Sequence, residues 1–339
     1  QHSSAASDVY KRQHRDYPLT AQLWGSDVLG LTPEDRTFSV AKLFFTFGLG
    51  GNLLFPWSVG ASVVLFAGSP RRAPDVLAAI AQYRPTILYN APTGYASMLA
   101  IEDFETRYDL SSLRLGVSAG EALPAPVWHA FRERTGVELV DGIGSTENFH
   151  IFISNRPDDI RPGSSGRPVP GYECRIVDTD GSEVPRGEIG TLHIKGETGA
   201  PFYLHDAERS RQTFLGEWID TGDKYFEDED GYFWHAGRSD DMLKVGGIWV
   251  SPVEVESTLI AHDAVLECAV VGEVDNADLV KPKAFVVLTG DHEPSDEMAE
   301  RLVAHCVAKM AAYKRPRWIV FVDELPKTAT GKIQRYRLR

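Results

Sequence analysis

The sequence is poor in cysteine, has more acidic than basic residues and shows no apolar stretch near its start. Its three cysteines, Cys174, Cys268 and Cys306, lie far apart, in a number and spacing that indicate neither a disulfide framework nor a metal site. Residues 1–13 do not contain the apolar core of a signal peptide. We therefore expect a protein of a reducing compartment, with a cytoplasmic location.

The net charge of −13 argues against a general nucleic-acid-binding protein, because such proteins usually present a basic surface. The charge is unevenly distributed, however, since residues 313–339 contain eight Lys and Arg residues and only two acids. Such a segment is either a solvated basic tail or a site for a polyphosphate, and composition does not separate the two.

One apolar stretch, residues 43–68, has the length of a membrane span. Asn52, Pro56, Ser58 and several glycines interrupt it, and its VVLF sequence is typical of a buried strand. We therefore expect a strand near residues 63–68 and no membrane helix.

The apolar pattern predicts an α/β protein with more than one domain, since 339 residues exceed the usual size of a single core. Strand-like and helix-like segments alternate before the pattern changes at about residue 160, which predicts a mostly parallel sheet with helices on its faces. Short strands broken by Gly and Pro then predict a small β-barrel-like subdomain. A compact α+β unit follows. We expect a large domain over residues 1–239 and a small C-terminal domain over residues 240–339.

Four short segments contain polar and small residues that can handle a nucleotide and a carboxylate. They read DGIGSTE (141–147), WIDTGD (218–223), GRSDDMLKVGG (237–247) and PKTATGKIQR (326–335). In the first, small residues let the backbone approach a ligand, and Glu147 could hold Mg²⁺. Asp223 could accept both hydroxyls of a ribose. Lys332 could neutralise charge during nucleotidyl transfer.

Each segment also has a plain structural interpretation. DGIGSTE could be a polar turn that starts a helix, TGD an Asx turn, and GRSDDMLKVGG a solvated linker. Lys332 could be one lysine in a basic tail, and SAGEALP (118–124) a strand-to-helix turn. Taken singly, the segments leave these alternatives open.

Together and in this order, the four segments resemble the adenylate-forming enzymes: acyl-CoA synthetases, peptide-synthetase adenylation domains and luciferases. The resemblance implies activation of a carboxylic acid with ATP, Mg²⁺ and coenzyme A. It makes Thr146 a contact of the α-phosphate, Glu147 the metal ligand, and Lys332 the catalytic lysine. The implied ATP and AMP contacts are Gly120, Glu121, Asp141, Gly142, Ser145, Thr146, Asp223, Arg238 and Lys332.

The same resemblance implies a mobile C-terminal domain that turns about Asp240. The implied contacts of coenzyme A are Lys244, Gly246, Gly247, Tyr313 and Arg315. The glycines, which have no side chain, would leave room for the pantetheine arm.

Among these enzymes, the chain is most similar to the benzoate and hydroxybenzoate CoA ligases, through residues 41–57, SAGEALP and residues 142–157. The implied substrate is an aryl carboxylate. The implied acyl pocket comprises Phe47, Gly48, Ala119, Ile143, Gly144 and His150. The set would form a flat, mostly apolar slot with one polar wall.

Two positions of this pocket keep a second interpretation, because Phe47 and His150 could also be plain core residues. The chain departs from the usual aryl-ligase pattern at Asn148-Phe149, where Met-Leu is common, and at Thr46-Phe47, where Ala-Tyr is common. The resemblance therefore leaves the ring substituents open.

The family's Ser/Thr/Gly-rich phosphate loop precedes a segment similar to residues 14–24, and residues 1–13 do not contain it. We therefore expect a fragment with little adenylation activity by itself. The alternatives are a non-catalytic nucleotide- or CoA-binding fragment, an enzyme for another acid, and one that transfers to a carrier protein. We expect a monomer or homodimer, with no nucleic-acid or membrane partner.

Overall fold

The structure, a computed structural model, describes residues 12–69, 72–246, 248–276, 278–328 and 333–339. Its first part is built on a seven-stranded sheet. The strands are β1 (Arg36–Ser39), β2 (Ser62–Val64), β3 (Ile87–Asn90), β4 (Leu115–Ala119), β5 (Leu139–Gly144), β6 (Ile151–Ser154) and β7 (Arg167–Pro168). Their order is β2-β1-β3-β4-β5-β6-β7, with parallel pairs from β2 to β5 and antiparallel pairs from β5 to β7. The predicted α/β fold is confirmed.

Hydrophobic clusters lie on both faces of this sheet. Successive residues of β3 alternate between them, since Ile87 and Tyr89 belong to one cluster and Leu88 to the other. The helices of this part are α1 (Asp16–Thr20), α2 (Thr46–Leu49), α3 (Phe55–Val59), α4 (Ala73–Tyr83), α5 (Pro92–Leu99), α6 (Phe104–Arg107) and α7 (Ala125–Thr135), with π-helical turns at Ala21–Ser26 and Gly50–Leu54. The helix α7 begins directly after Pro124, and Gly136 caps its C-terminal end with a φ of 72°.

The apolar stretch at residues 43–68 folds into short elements. The helices α2 and α3 and the π-helical turn between them are followed by Gly60 and β2. The predicted strand is present but shorter than expected, because it ends at Val64 and the next side chain, Leu65, is 68% exposed. Among the described residues, no helix combines the length and the hydropathy that a membrane crossing requires.

The predicted barrel-like subdomain is a five-stranded antiparallel sheet. Its elements are β8 (Tyr172–Val177), β9 (Gly190–Gly196), α8 (Ala207–Thr213), β10 (Phe214–Leu215), β11 (Trp218–Glu227) and β12 (Phe233–Arg238). The strands follow the order β10-β11-β9-β8, and β12 also pairs with β11. A hairpin turn with Asp230 and Gly231 joins β11 to β12, and Gly231 takes a φ of 83°.

The remaining residues form an α+β unit with its own core. Its elements are β13 (Leu243–Val245), β14 (Ile248–Val250), α9 (Pro252–Ile260), β15 (Val265–Val274), β16 (Val280–Leu288), α10 (Asp296–Lys309), β17 (Trp318–Phe321) and a 3₁₀ turn at Arg335–Arg337. β15 and β16 pair antiparallel, and β16 and β17 pair parallel. Val255, Leu302 and Cys306 are buried in its core. A boundary at residue 240 stays a prediction.

Candidate active site

A cavity of about 770 Å³ lies between the large part and the C-terminal part of the chain. One wall comes from the loop after β4, from the end of β5 and from the loop that follows it. Other walls come from α8, β11 and β12, and the C-terminal part contributes α9, β15, Ile333 and Arg335. The cavity therefore lies at the carboxyl ends of parallel strands, where open α/β sheets bind ligands.

Nearly all of the nucleotide contacts implied by the sequence meet at this cavity. The lining residues from that set are Gly120, Glu121, Asp141, Gly142, Ser145, Thr146, Asp223 and Arg238. Glu147, the implied metal ligand, lines the cavity as well. Lys332 lies outside the described residues, but Ile333, its neighbour in the chain, lines the cavity.

The loop after β5 is a tight turn. A Cβ atom on Gly144 would lie 2.4 Å from the carbonyl oxygen of His150, so only glycine allows this approach of the two backbones. The amide of Asn148 donates to Ser145 Oγ (3.2 Å), and that of Phe149 to the carbonyl oxygen of Thr146 (3.1 Å). The loop leads to the antiparallel strand β6, so the alternative of a helix start at DGIGSTE is wrong.

Asp141 is a buried carboxyl group on the cavity wall. It is 5% exposed, and burial raises its pKa to about 8 even though the amide of Leu123 donates to its Oδ2 (3.4 Å). At neutral pH this group is therefore mostly protonated and can donate a hydrogen bond.

Glu147 is fixed by a side chain that sequence reasoning missed. The hydroxyl of the buried Tyr203 donates to Glu147 Oε1 at 2.7 Å. The guanidinium carbon of Arg209, on α8, lies 4.3 Å from the centre of the Tyr203 ring. The sequence around Tyr203 and Arg209 is typical of a charged loop, and no pattern in it indicates that the segment faces a ligand.

Asp223 and Arg238 face each other across the β11–β12 pair. Arg238 Nη1 lies 3.2 Å from Asp223 Oδ1, and Asp223 raises the pKa of Arg238. His235, also missed by sequence reasoning, places Nε2 3.7 Å from the same oxygen.

The TGD segment, residues 221–223, lies inside β11 and not at the end of a strand. β11 continues to Glu227, and its register against β9 shifts between Asp220 and Lys224. Gly222 takes a φ of 70° at this bulge, where its amide donates to Asp220 Oδ1 (2.8 Å). The bulge, and not a strand end, brings Asp223 to the cavity.

The implied acyl residues lie in two places. Ile143 and Gly144 line the cavity, whereas Phe47, Ala119 and His150 are buried in the adjacent hydrophobic core. Gly48 lies under the backbone of residues 41–42, since a Cβ atom on it would be 2.4 Å from the Ala41 carbonyl oxygen.

The buried part of this set belongs to an aromatic cluster. The ring centres of Phe47 and His150 are 5.8 Å apart, and His150 Nε2 lies 3.3 Å from the carbonyl oxygen of Phe47. Burial lowers the pKa of His150 to about 3, so its ring is neutral. Within the described part of the chain, no hydrogen-bond partner is present for His150 Nδ1, Tyr89 Oη or Trp24 Nε1. The cluster is therefore apolar with a few buried polar atoms.

A hydrogen bond links the C-terminal part to the large part at the cavity. The amide of Ile333 donates to Glu121 Oε1 at 2.8 Å. Arg335 forms a two-pronged ion pair with Glu256, at 3.0 and 2.8 Å. The residue that follows Lys332 is thus held against Glu121, one of the implied ATP and AMP contacts.

The implied hinge and coenzyme A residues lie on the surface of the C-terminal part. Asp240 is exposed, and its carbonyl oxygen accepts from Arg339 (3.0 Å). Lys244 lies 5.7 Å from the ring centre of Trp249, and Gly246 has a φ of 57°. Tyr313 and Arg315 are exposed as well, and Gly247 falls outside the described residues.

The resemblance makes Glu147 the metal ligand, and Glu147 is among the residues that the structure describes. In the parts of the chain that the structure describes, no group of three or more His, Cys, Asp or Glu side chains could hold a metal ion. Mg²⁺, however, is commonly bound by one or two carboxylates together with substrate phosphates. Glu147 on the cavity wall fits that arrangement.

Two family models match the chain. The AMP-binding enzyme model matches residues 12–204, and the model of the AMP-binding enzyme C-terminal domain matches residues 254–332. Benzoate–CoA ligase of Thauera aromatica is 51% identical over 96% of the chain, which spans only 62% of that enzyme.

Solved structures of CoA ligases have similar folds. The anthranilate CoA ligase AuaEII, solved in complex with anthranoyl-AMP, has a TM-score of 0.95 and 64% identity, over 98% of this chain and 66% of its own. A benzoate CoA ligase from Burkholderia xenovorans LB400 has a TM-score of 0.92 and 48% identity, over 100% of this chain and 70% of its own. These findings confirm the resemblance to adenylate-forming enzymes and to benzoate CoA ligases. Because its family model matches more than half of the residues, the chain belongs to the AMP-binding enzyme family.

Proposed function

We propose that the chain carries the nucleotide and acyl sites of an ATP-dependent aryl-CoA ligase. Such an enzyme converts a benzoate-like acid to its acyl-adenylate and then to a CoA thioester, with release of pyrophosphate and AMP. The observation that carries the proposal is the meeting of Thr146, Glu147, Asp223 and Ile333 at one cavity. The names of the similar ligases support an aromatic acid as the substrate.

In the first half-reaction, a carboxylate oxygen of the acid attacks the α-phosphorus of ATP, and pyrophosphate leaves. Asp223 would accept hydrogen bonds from the ribose hydroxyls, and Arg238 would keep its carboxylate in place. Thr146 would donate to the α-phosphate, and Lys332 would stabilise the charge that develops. Mg²⁺, held by Glu147, would supply further neutralisation of the phosphates.

The acid itself would bind at Ile143 and Gly144, against the aromatic cluster. Its buried rings and neutral His150 favour an aromatic ring over a charged or strongly polar group. Phe47, Gly48 and Ala119 would form the wall of this pocket on the side of the hydrophobic core. The departures at residues 46–47 and 148–149 would set the ring substituents.

In the second half-reaction, the C-terminal domain would rotate about Asp240 and admit coenzyme A. Lys244, Gly246 and Gly247 would line the pantetheine tunnel, and Tyr313 and Arg315 would bind the nucleotide of coenzyme A. Two catalytic orientations of one small domain are a hinge motion of a known kind. We also propose that the protein works in the cytoplasm as a monomer or homodimer.

Binding of a stable benzoyl-adenylate mimic, the benzoyl sulfamoyl adenosine, tests the proposal on this chain. We expect calorimetric binding that is at least about tenfold tighter than that of the acetyl counterpart, because the aromatic ring buries more apolar surface. Pyrophosphate release with benzoate and ATP then tests turnover. Binding without turnover would favour a nucleotide-binding role, and no binding of either mimic would overturn the proposal.

A further inference from the structure

The strand β11 is irregular where it passes the cavity. Asp220 is paired with His193 of β9, and the next paired residue, Lys224, lies opposite Thr191. β11 therefore advances by four residues while β9 advances by two, and the additional residues form a bulge at residues 221–223. Residues 220–223 all line the cavity.

Two side chains of β11 itself hold this bulge. Asp220 Oδ1 accepts from the amide of Gly222 at 2.8 Å. Thr221 Oγ1 accepts from the amide of Asp223 at 3.2 Å and donates to the carbonyl oxygen of Leu192 at 2.9 Å. Backbone amides inside a protein need an acceptor, and a bulge takes some of them out of the ladder between strands. The Asp220 carboxylate and the Thr221 hydroxyl supply those acceptors.

The bond from Gly222 to Asp220 fixes the backbone just before Asp223. Gly222 has a φ of 70°, which is not the conformation of a regular strand. Aspartate commonly stabilises such turns by accepting from the amide two residues further on. Because successive side chains of a strand point to opposite faces, a bulge that relaxes toward regular pairing would change the direction of the Asp223 side chain.

We propose that Asp220 is a positioning residue for the ribose of the nucleotide. Its carboxylate holds the bulge in the conformation in which Asp223 faces the ribose hydroxyls. This inference rests on the proposed function and deepens it, because Asp220 is outside the set of contacts that the resemblance implies. The role requires an acceptor oxygen at the Oδ1 position and not a negative charge.

Calorimetric titration of the full chain with AMP and with 2′,3′-dideoxy-AMP tests this role. We expect Asp220→Ala to weaken the binding of AMP by roughly five- to tenfold, because Asp223 no longer meets both hydroxyls. Binding of the dideoxy nucleotide, which has no ribose hydroxyls, should change by less than about twofold. Asp220→Asn keeps an acceptor oxygen and should bind AMP like the parent chain.

An exposed aspartate with the same kind of bond provides the matched control. Asp178 Oδ1 accepts from the amide of Asp180 at 2.8 Å in the turn after β8. Asp178→Ala should leave the binding of AMP unchanged. Hydrogen exchange followed by NMR should be faster at the Gly222 amide in Asp220→Ala, and at the Asp180 amide in the control.

A double substitution separates positioning from direct contact with the ligand, since Asp220 itself lines the cavity. In a chain that already carries Asp223→Asn, adding Asp220→Ala should cause little further loss of affinity for the benzoyl-adenylate mimic. If the two losses add in full, Asp220 acts independently of Asp223 and the inference is overturned. An Asp220→Asn chain that binds AMP as weakly as Asp220→Ala would also overturn it, because the charge would then be what matters.

The outcomes distinguish this inference from the proposed function. If the parent chain binds neither AMP nor the mimic, the proposed function fails and the inference fails with it. If AMP binds and Asp220→Ala leaves its affinity unchanged, only the inference fails. Equal weakening of AMP and dideoxy-AMP binding also overturns it, because the substitution then disturbs the whole cavity.

Discussion

The two ends of the proposed site are built in different ways. At the nucleotide end, partly exposed charged groups are held by partners, as Asp223 is by Arg238 and Glu147 by Tyr203. At the acyl end, Phe47 and His150 are buried in the core. The nucleotide end can therefore lose a side chain with little effect on folding, whereas the acyl end serves both folding and recognition.

The largest expected effect is a loss of stability, and it should occur at the acyl end and not at the nucleotide end. Phe47→Ala should lower the free energy of unfolding by about 3–5 kcal/mol, because it leaves a void in a packed aromatic cluster. Urea unfolding followed by circular dichroism measures this loss. Phe44→Ala is the control, since Phe44 is 75% exposed, and should change the unfolding free energy by less than about 0.5 kcal/mol. Equal effects of the two substitutions would show that the acyl end is not part of the core.

A substitution at Asp223 is expected to weaken ligand binding much more than it lowers stability, which is the reverse of the expectation for Phe47. Asp223→Asn should weaken binding of the benzoyl-adenylate mimic by roughly 30-fold or more, because an anionic acceptor of two ribose hydroxyls is lost. Its effect on unfolding should stay below about 1 kcal/mol, since the partner Arg238 is half-exposed. Asp230→Asn removes an exposed charge from the adjoining hairpin turn and should leave binding unchanged. A loss of stability with unchanged binding at Asp223 would reverse the comparison.

The same contrast explains what the sequence could and could not predict. Thr146, Glu147, Asp223 and Arg238, which line one cavity, could be proposed from the sequence because each lies in a short contiguous segment whose residue types suit a nucleotide. Tyr203 was missed because it reaches Glu147 from a distant loop. Its contribution depends on tertiary packing, for which a single sequence carries no local pattern.

The acyl end was harder to predict for a related reason. Its aromatic cluster gathers Trp24, Phe47, Phe55, Tyr89 and His150 from five separate segments. Apolar periodicity predicts that such residues lie in the core, but it does not indicate which of them contact one another in the fold. The strand alternation that set the α/β fold needed only local patterns, which is why it was predicted well.

Asp141 gives a pH test of the nucleotide end. Burial raises its pKa in the folded state from the ordinary value of 3.8 to about 8, so the folded state favours the neutral carboxyl. The stability from this group is complete below pH 3.8 and is lost as the pH rises toward 8, by about 1.4 kcal/mol per pH unit. Relative to the parent chain, Asp141→Asn should therefore gain stability between pH 5 and pH 7, as measured by urea unfolding at each pH. A constant difference between the two proteins across this range would mean that Asp141 is ionised in the folded state.

The smallest effect concerns the contact between the two parts of the chain. Glu121→Ala removes the acceptor of the Ile333 amide, so hydrogen exchange at that amide, followed by NMR, should become roughly five- to tenfold faster. Glu121→Gln keeps an acceptor oxygen and should retain most of the protection. The Gln334 amide is an internal control, since it donates to the carbonyl oxygen of Pro326 within the C-terminal part at 2.8 Å. Faster exchange at both amides would mean that the whole loop unfolds, and unchanged exchange at Ile333 would mean that Glu121 does not hold the two parts together.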